Sequence, residues 1–422
     1  MYNFFKKHPY LLFFGIFQLF FSAPGQTFLI SLFVGSIFNE LKISQSVFAG
    51  IYSAATLSAA FLLNPAGRLI DRYSIQTIIK YLTMLMALGC FILAYSKNIY
   101  TLFAGFFILR LIGQGAFSLS SSTLMVKNFH KNRGKAMGII TLGFPFSEMI
   151  YPFIALYLLH NFGWRAGFIV FGLTNIVIML PLQLFLLNKS NVNHGEFQPG
   201  ELDINPQQLP GEPLPQTTHA QRDYTLKEVL KDFKFYLIML ASCLPPMVVT
   251  GLFFYQETLF TANHWNIAFA ATGLTVYAVC KAVGSLWIGG VVDRHGPLIP
   301  FIVLIFLLGI GTFLAALGGN TLIIVLYYSI IGAALGFSSP VTNVVYPHFY
   351  GTKYMGSIKG LIATFRNGVT AFGPLPIAFA LDAGFSINTI LYWVAILIFV
   401  LSSLPVIVYK FDRKENATDY IQ

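Results

Sequence analysis

Apolar residues run along this chain in long blocks separated by short polar breaks. A helix needs about 20 apolar residues to cross a bilayer. On that ruler the chain predicts six crossings, at 9–37, 44–64, 75–96, 99–126, 135–160 and 164–187, before a long polar stretch. Six more follow it, at 235–261, 266–290, 298–318, 321–346, 355–381 and 386–409. The stretch 188–234 contains NHGEFQPGELDINPQQLPGEPLPQTTHAQRD, rich in Pro, Gln and acids, and cannot bury a core of its own. It reads as a linker between two six-helix bundles, 1–187 and 235–409, with 410–422 as a tail. Within it, TLKEVLKDFKF from Thr225 predicts an amphipathic helix lying on the membrane surface. The first block continues well past a signal-peptide core without a small-residue cleavage site, so it predicts a retained first crossing.

Composition removes the soluble alternative. The chain is 56% hydrophobic and 10% charged, with 43 Phe against 16 Asp plus Glu, whereas soluble domains are about 25% charged. An all-α integral membrane protein is expected. The net charge of +10 does not point to nucleic acid, because the 26 Lys and Arg fall in short clusters between crossings and form no basic face. Topology accounts for them. With the first residue inside, Lys6, Lys7, Lys127, Lys131, Arg133, Lys135, Lys227, Lys231, Lys410 and Lys414 are all cytoplasmic, and only Lys42, Lys97 and Arg165 lie outside. Both termini and the linker then face the cytoplasm, and the cell inner membrane is the expected location.

Cys90, Cys243 and Cys280 all sit inside apolar runs, which leaves no disulfide framework and no metal site. The chain carries no phosphate-binding G-x-x-x-x-G-K-[ST] loop, no clustered ligands and no nucleophile beside paired carboxylates. No enzyme activity and no cofactor are expected, nor is a partner beyond lipid, a small solute and protons; a monomer suffices.

A repeat supports the two halves. GRLIDRYS, with Gly67, Asp71 and Arg72, follows the second crossing, and GGVVDRHG, with Gly289, Asp293 and Arg294, follows the eighth. With twelve crossings and a central linker, these turns resemble the major facilitator superfamily over nearly the whole chain. Arg110 followed by Gly113 and Gly115, the stretch NFHKNRGKAMGI, and Gly163-Trp164-Arg165 are similar to its branch for monocarboxylates, oxalate and related organic anions. The resemblance implies two bundles rocking about a central site, with the paired turns in a gating role. Where the family turn continues with Gly and two basic residues, this chain has Ser74, Ile75 and Gln76 after Tyr73, and Pro297 and Leu298 after Gly296.

Five ionisable residues lie inside the crossings: Arg110, Glu148, Glu257, Lys281 and Arg366. Each costs a few kcal/mol at a helix centre, so each needs a partner or a function. Arg110 and Glu148 reach similar depths, about 16 and 18 Å from the outer ends of their helices. The pattern leaves open a structural pair or a part in proton or substrate coupling. Glu257, beside Tyr255 and Gln256, reaches water at the outer mouth or joins the coupling. Lys281 and Arg366 stand about 14 to 16 Å from the cytoplasmic ends of their crossings, and no acid lies in either crossing. An anion bridging them, or separate pairing with Glu148, Glu257 or carbonyls, satisfies both. Pro24 and Gly25 predict a kink aiming Gln26, with Gln18, into a cavity, and Tyr52, Tyr277, Asn343 and Tyr346 are candidate wall residues.

Secondary transport of a small carboxylate, as symport or antiport, is the leading expectation; export of an amphipathic drug, metabolite or metal-chelating natural product such as a siderophore is the alternative. The topology is testable. With the native cysteines removed, an Asn205→Cys variant is expected to react with an impermeant maleimide only when the cytoplasmic face is opened. Labelling from outside intact cells would invert the assignment.

Overall fold

In the computed structural model, which describes residue 6 and residues 8–129, 133–190, 223–351 and 354–419, every regular element among the described residues is helical. The chain forms two compact units, Met1–Pro215 and Gln216–Gln422. In the first, crossing one is broken into α1 (Pro9–Phe20), a tight turn at Ala23–Gly25, α2 (Thr27–Ile30) and α3 (Val34–Leu41). Crossings two and three are α4 (Gln45–Arg72) and α5 (Ile75–Ala94). Crossing four is α6 (Ile99–Leu109), a wide π-turn at Arg110–Ala116, and α7 (Phe117–Asn128). α8 (Arg133–Ile140) and α9 (Gly143–Thr174) lead through a second π-turn at Asn175–Met179 into α10 (Leu180–Lys189). Crossings five and six run together in α9 and separate at Gly163, whose φ of 78° and ψ of 169° turn the chain where a side chain would be strained.

The second unit opens with the short α11 (Leu226–Val229). Crossing seven is α12 (Phe233–Phe254) and α13 (Gln256–Ala262); eight, nine and ten are α14 (Ala268–His295), α15 (Leu298–Leu317) and α16 (Thr321–Tyr350). Crossing eleven is α17 (Met355–Val369), a tight turn at Thr370–Phe372 and α18 (Pro374–Asp382), and twelve is α19 (Ile387–Leu401) with α20 (Ser403–Asp419).

By length and hydropathy nine helical stretches among the described residues span a bilayer unaided. The other three crossings come from the broken first, the broken eleventh, and the division of one stretch, Ala136–Lys189, at Gly163. The packing is that of a protein solvated by lipid. Leu12, Phe14, Ile79, Met125 and Ile140 close a core in the first unit, while Phe61, Val177, Leu286, Trp287, Trp393 and Val400 stand outward and exposed. Bulky apolar side chains on the outside are ordinary when the neighbour is a hydrocarbon tail.

Two expectations change. The stretch from Thr225 is not one amphipathic helix: Thr225 and Glu228 cap the single turn of α11, the chain turns, and Asp232 accepts from Lys234 N to start α12. Both acids cap helix N-termini, Glu228 at α11 and Asp232 at α12, so local capping overrides the amphipathic pattern. The repeated motifs are also not turns. Gly67–Arg72 closes α4 and Gly289–Arg294 lies in the last turns of α14. Hydropathy marks only the apolar part of a helix, and these helices run on beyond it.

One face of the first unit is clasped by Glu40. Its carboxylate accepts from Trp164 Nε1 and from Arg165, whose Nη2 is 2.8 Å away, and Arg165 Nη1 donates to Ala94 O at 2.6 Å. Three crossings meet at this cluster. Partial burial opposes ionisation of Glu40, but the hydrogen bonds from Trp164 and Arg165 and the Arg165 charge outweigh it and hold the carboxyl below its ordinary value of 4.5. With the folded value depressed, the clasp stabilises the fold above the unfolded value and stops doing so as pH falls through the folded one. Exposed pairs of this kind contribute about 0–1 kcal/mol. The gap in melting temperature between the native protein and Glu40→Gln is therefore expected to be small, full at neutral pH, and to close in acid below 4.5. A gap that widens on acidification would contradict the assignment.

Candidate functional site

Crossings one and four touch backbone to backbone. A Cβ on Gly113 would lie 2.7 Å from Gly25 Cα and 2.8 Å from Ser22 O, so two glycines set this approach. The π-turn that begins at Arg110 frees carbonyls from the helical ladder, and Gln26 Nε2 donates to one of them, Gly113 O, at 3.0 Å. In the other direction Arg110 Nη1 donates to Gly25 O and to Thr27 Oγ1, both at 3.1 Å, and its Nε donates to Thr56 Oγ1 at 3.1 Å. The guanidinium carbon sits 5.1 Å from the Tyr52 ring centroid, and the Tyr52 hydroxyl shares a 2.9 Å hydrogen bond with Thr27. Arg110 is 1% exposed. These hydrogen bonds tie Arg110 to the break in crossing one and to crossing two.

Gln18 is also fully buried, with Nε2 donating to Ser120 Oγ at 2.6 Å. The kink expected at Pro24 and Gly25 is present, but it turns Gln26 toward Gly113 O and leaves Gln18 in the seam between crossings one and four. A buried amide in lipid takes whatever internal partner the neighbouring helix offers.

In the second unit α14 and α16 run side by side in parallel. A Cβ on Gly332 would lie 3.0 Å from Tyr277 Cα, and one on Gly336 would lie 3.0 Å from Ser285 N and strike Lys281 O. Lys281 therefore packs its backbone on Gly336, and its Nζ lies 5.3 Å from the Tyr277 ring centroid. Tyr277 is buried, edge-on to Phe253 at 5.1 Å. From α17, Arg366 reaches the same helix α16, donating from Nη2 to Ser338 Oγ at 3.2 Å and from Nη1 to Thr342 Oγ1 at 3.4 Å. The two cations thus share one scaffold helix. Tyr346, one turn beyond Thr342, is buried and bonded to Ser242 Oγ at 2.8 Å, and Asn343 is exposed on a different face of α16.

The remaining candidates scatter. Glu148 is buried in α9 at 6% exposure. Glu257 is not in crossing seven's long helix: that helix ends at Phe254, and Glu257 lies half-buried in the first turn of α13. Its neighbour Gln256 is fully buried and accepts from Tyr328 OH at 3.2 Å. Of the gating candidates, Arg294 is exposed and Gly289 half-buried, while the side chains of Asp71, Arg72 and Asp293 lie outside the described residues. The helix that follows Asp71 is capped by Ser74, which accepts from Thr77 N.

A family model described as Major Facilitator Superfamily matches residues 13–374. The chain belongs to the Major Facilitator Superfamily. An uncharacterized MFS-type transporter of Escherichia coli K12, YhjX, is 22% identical over 352 residues, 81% of this chain and 80% of that one. A gallate transporter of Pseudomonas putida is 23% identical over 358 residues, covering 81% and 77%. In fold the chain is similar to the nucleoside transporter NupG, with a TM-score of 0.69, 15% identity and 96% and 99% of the two chains covered. The superfamily fold of twelve membrane helices in two six-helix bundles, expected from the repeat, is the fold of this chain.

Thr27, Thr56, Ser338 and Thr342, which bond Arg110 and Arg366 in this superfamily member, escaped the sequence reading. A lone Ser or Thr in an apolar run bonds its own helix as readily as a neighbour, and only the spacing of Ser338 and Thr342, four apart around Pro340, carries a trace of the site. For the first unit the geometry makes Arg110 a pin across a broken helix. Hydrogen bonds to charged groups contribute about 1.5–3 kcal/mol, so Arg110→Gln is expected to lower thermal stability by at least that much, and Arg110→Lys to recover only part. Unchanged melting of purified Arg110→Gln would show that the pin carries nothing.

Proposed function

We propose that the protein is a secondary active transporter of a small organic carboxylate, working by alternating access of its two six-helix halves. In this reading Lys281 and Arg366 bind the anionic group beside Tyr277, and protons or a counter-substrate drive the cycle. The termini and the linker at 188–234 lie on the cytoplasmic side of the inner membrane, where the basic residues gather.

One observation carries the reading. A guanidinium has five N–H donors. Arg110 donates to a carbonyl and a hydroxyl at the break in crossing one and to a hydroxyl in crossing two, whereas Arg366, in crossing eleven, gives two of its five to neutral hydroxyls and has no acid bonded to it among the described residues. A mid-membrane cation with unspent donors fits a carboxylate, which Arg binds in a fork and Lys as a point charge. The gallate carried by the Pseudomonas relative is itself a carboxylate, in line with that chemistry. Coupling falls to Glu148, whose buried carboxyl is a proton site, with Glu257 second. Asp71 and Asp293 act in the conformational cycle.

The deciding measurement is uptake by the purified protein in liposomes, over a panel of labelled aromatic and aliphatic carboxylates, with and without a pH gradient or internal counter-substrate. Removing one partner of a buried charged contact costs about 2–5 kcal/mol, so Lys281→Gln and Arg366→Gln are expected to weaken binding at least 30-fold. Lys281→Arg keeps partial function, and Arg366→Lys fares worse because a point charge does not reproduce a fork. If both Gln variants bind the carboxylate as the native protein does, the anion site is elsewhere.

A further inference from the structure

We propose that Ser338 and Thr342 are positioning residues: they grip the two terminal nitrogens of Arg366 and leave its Nε edge turned to the carboxylate. This inference rests on the anion site proposed above and adds to it the groups that set the orientation of its fork. The two hydroxyls are four residues apart, on one face of α16, and both are buried, at 2% and 4% exposure. Thr342 Oγ1 donates its own proton to Ser338 O at 2.7 Å. With its proton so committed, that oxygen faces Arg366 as an acceptor only. Ser338 Oγ takes the other terminal nitrogen, so the guanidinium lies across one helical turn with its end toward α16.

Three properties favour positioning over mere solvation. The contacts, at 3.2 and 3.4 Å, are long for charge-assisted hydrogen bonds, so they orient the fork without neutralising it. Both come from the terminal nitrogens, and Nε makes no contact with either hydroxyl. The helix that carries them is shaped at this point, because Pro340, between Ser338 and Thr342, lies inside α16, has no N–H, and releases the helix from its regular ladder. Two residues before Ser338, Gly336 packs the same helix against Lys281. One helix, α16, therefore touches both cations, and its hydroxyls set the angle of the one whose binding is directional.

The experiment is a binding and uptake comparison of Ser338→Ala, Thr342→Val, Thr342→Ser and the Ser338→Ala/Thr342→Val pair, in the native and the Arg366→Lys backgrounds. The probe is the labelled carboxylate of the panel that the native protein binds most tightly, with gallate tested first. The paired variant is expected to bind it roughly tenfold more weakly, with KM raised and kcat at saturation nearly unchanged. Thr342→Ser, which keeps the oxygen, is expected to stay within about twofold of native. In the Arg366→Lys background the pair is expected to add little, because a lysine offers no fork to orient. Native affinity in the paired variant, while Arg366→Gln loses it, overturns the positioning role and leaves the anion site standing. An equal loss in both backgrounds overturns it as well, as a general packing effect. Unchanged affinity in Arg366→Gln, or no carboxylate bound by the native protein, removes the anion site and this inference with it.

Discussion

A guanidinium inside a bilayer has to find its partners within the protein, because the solvent on every other side is hydrocarbon. Arg110 meets that constraint by bonding a carbonyl and a hydroxyl at the break in crossing one and a second hydroxyl in crossing two. The rest of the first unit follows from it. The break exposes Gly25 O to be bonded, the glycine pair lets the helices come close enough, and the π-turn that starts at Arg110 offers Gly113 O to Gln26 in return. Each irregularity supplies what another lacks. Taken alone, a broken helix, a π-turn or a buried arginine would cost several kcal/mol in lipid; together they satisfy one another.

The second unit solves a similar problem with a different balance. Its scaffold is the pair α14 and α16, brought together by Gly332 and Gly336, with Lys281 and Arg366 reaching the same helix from two neighbours. Here the arginine is met by two hydroxyls and, among the described residues, by no carbonyl. The two arginines therefore occupy unlike chemical environments. Arg110 donates to a backbone carbonyl and two hydroxyls, and Arg366 donates to two hydroxyls.

Much of the fold was legible in the apolar blocks. Twelve crossings, two halves and the paired Gly-x-x-x-Asp-Arg segments all lie in the linear pattern, because the bilayer imposes a length and a composition on each crossing whatever its neighbours are. The breaks were only partly legible. Pro24 and Gly25 announced the first, yet the direction in which Gln18 and Gln26 turned depended on Ser120 and Gly113 of another helix. The π-turn at Arg110–Ala116 left no mark, since wide turns have no residue signature of their own.

The sequence by itself determined which residues are costly in lipid, and so named Arg110, Lys281 and Arg366 before any contact was known. Only the tertiary structure decided what each of them touches. Burial cost is a property of one side chain and can be read from one position, whereas a hydrogen bond needs two groups brought within about 3 Å. Arg110 and Thr56 are 54 residues apart in the chain, and Arg366 and Ser338 are 28 apart. The contacts of the three cations therefore rest on the packing of segments far apart in the chain.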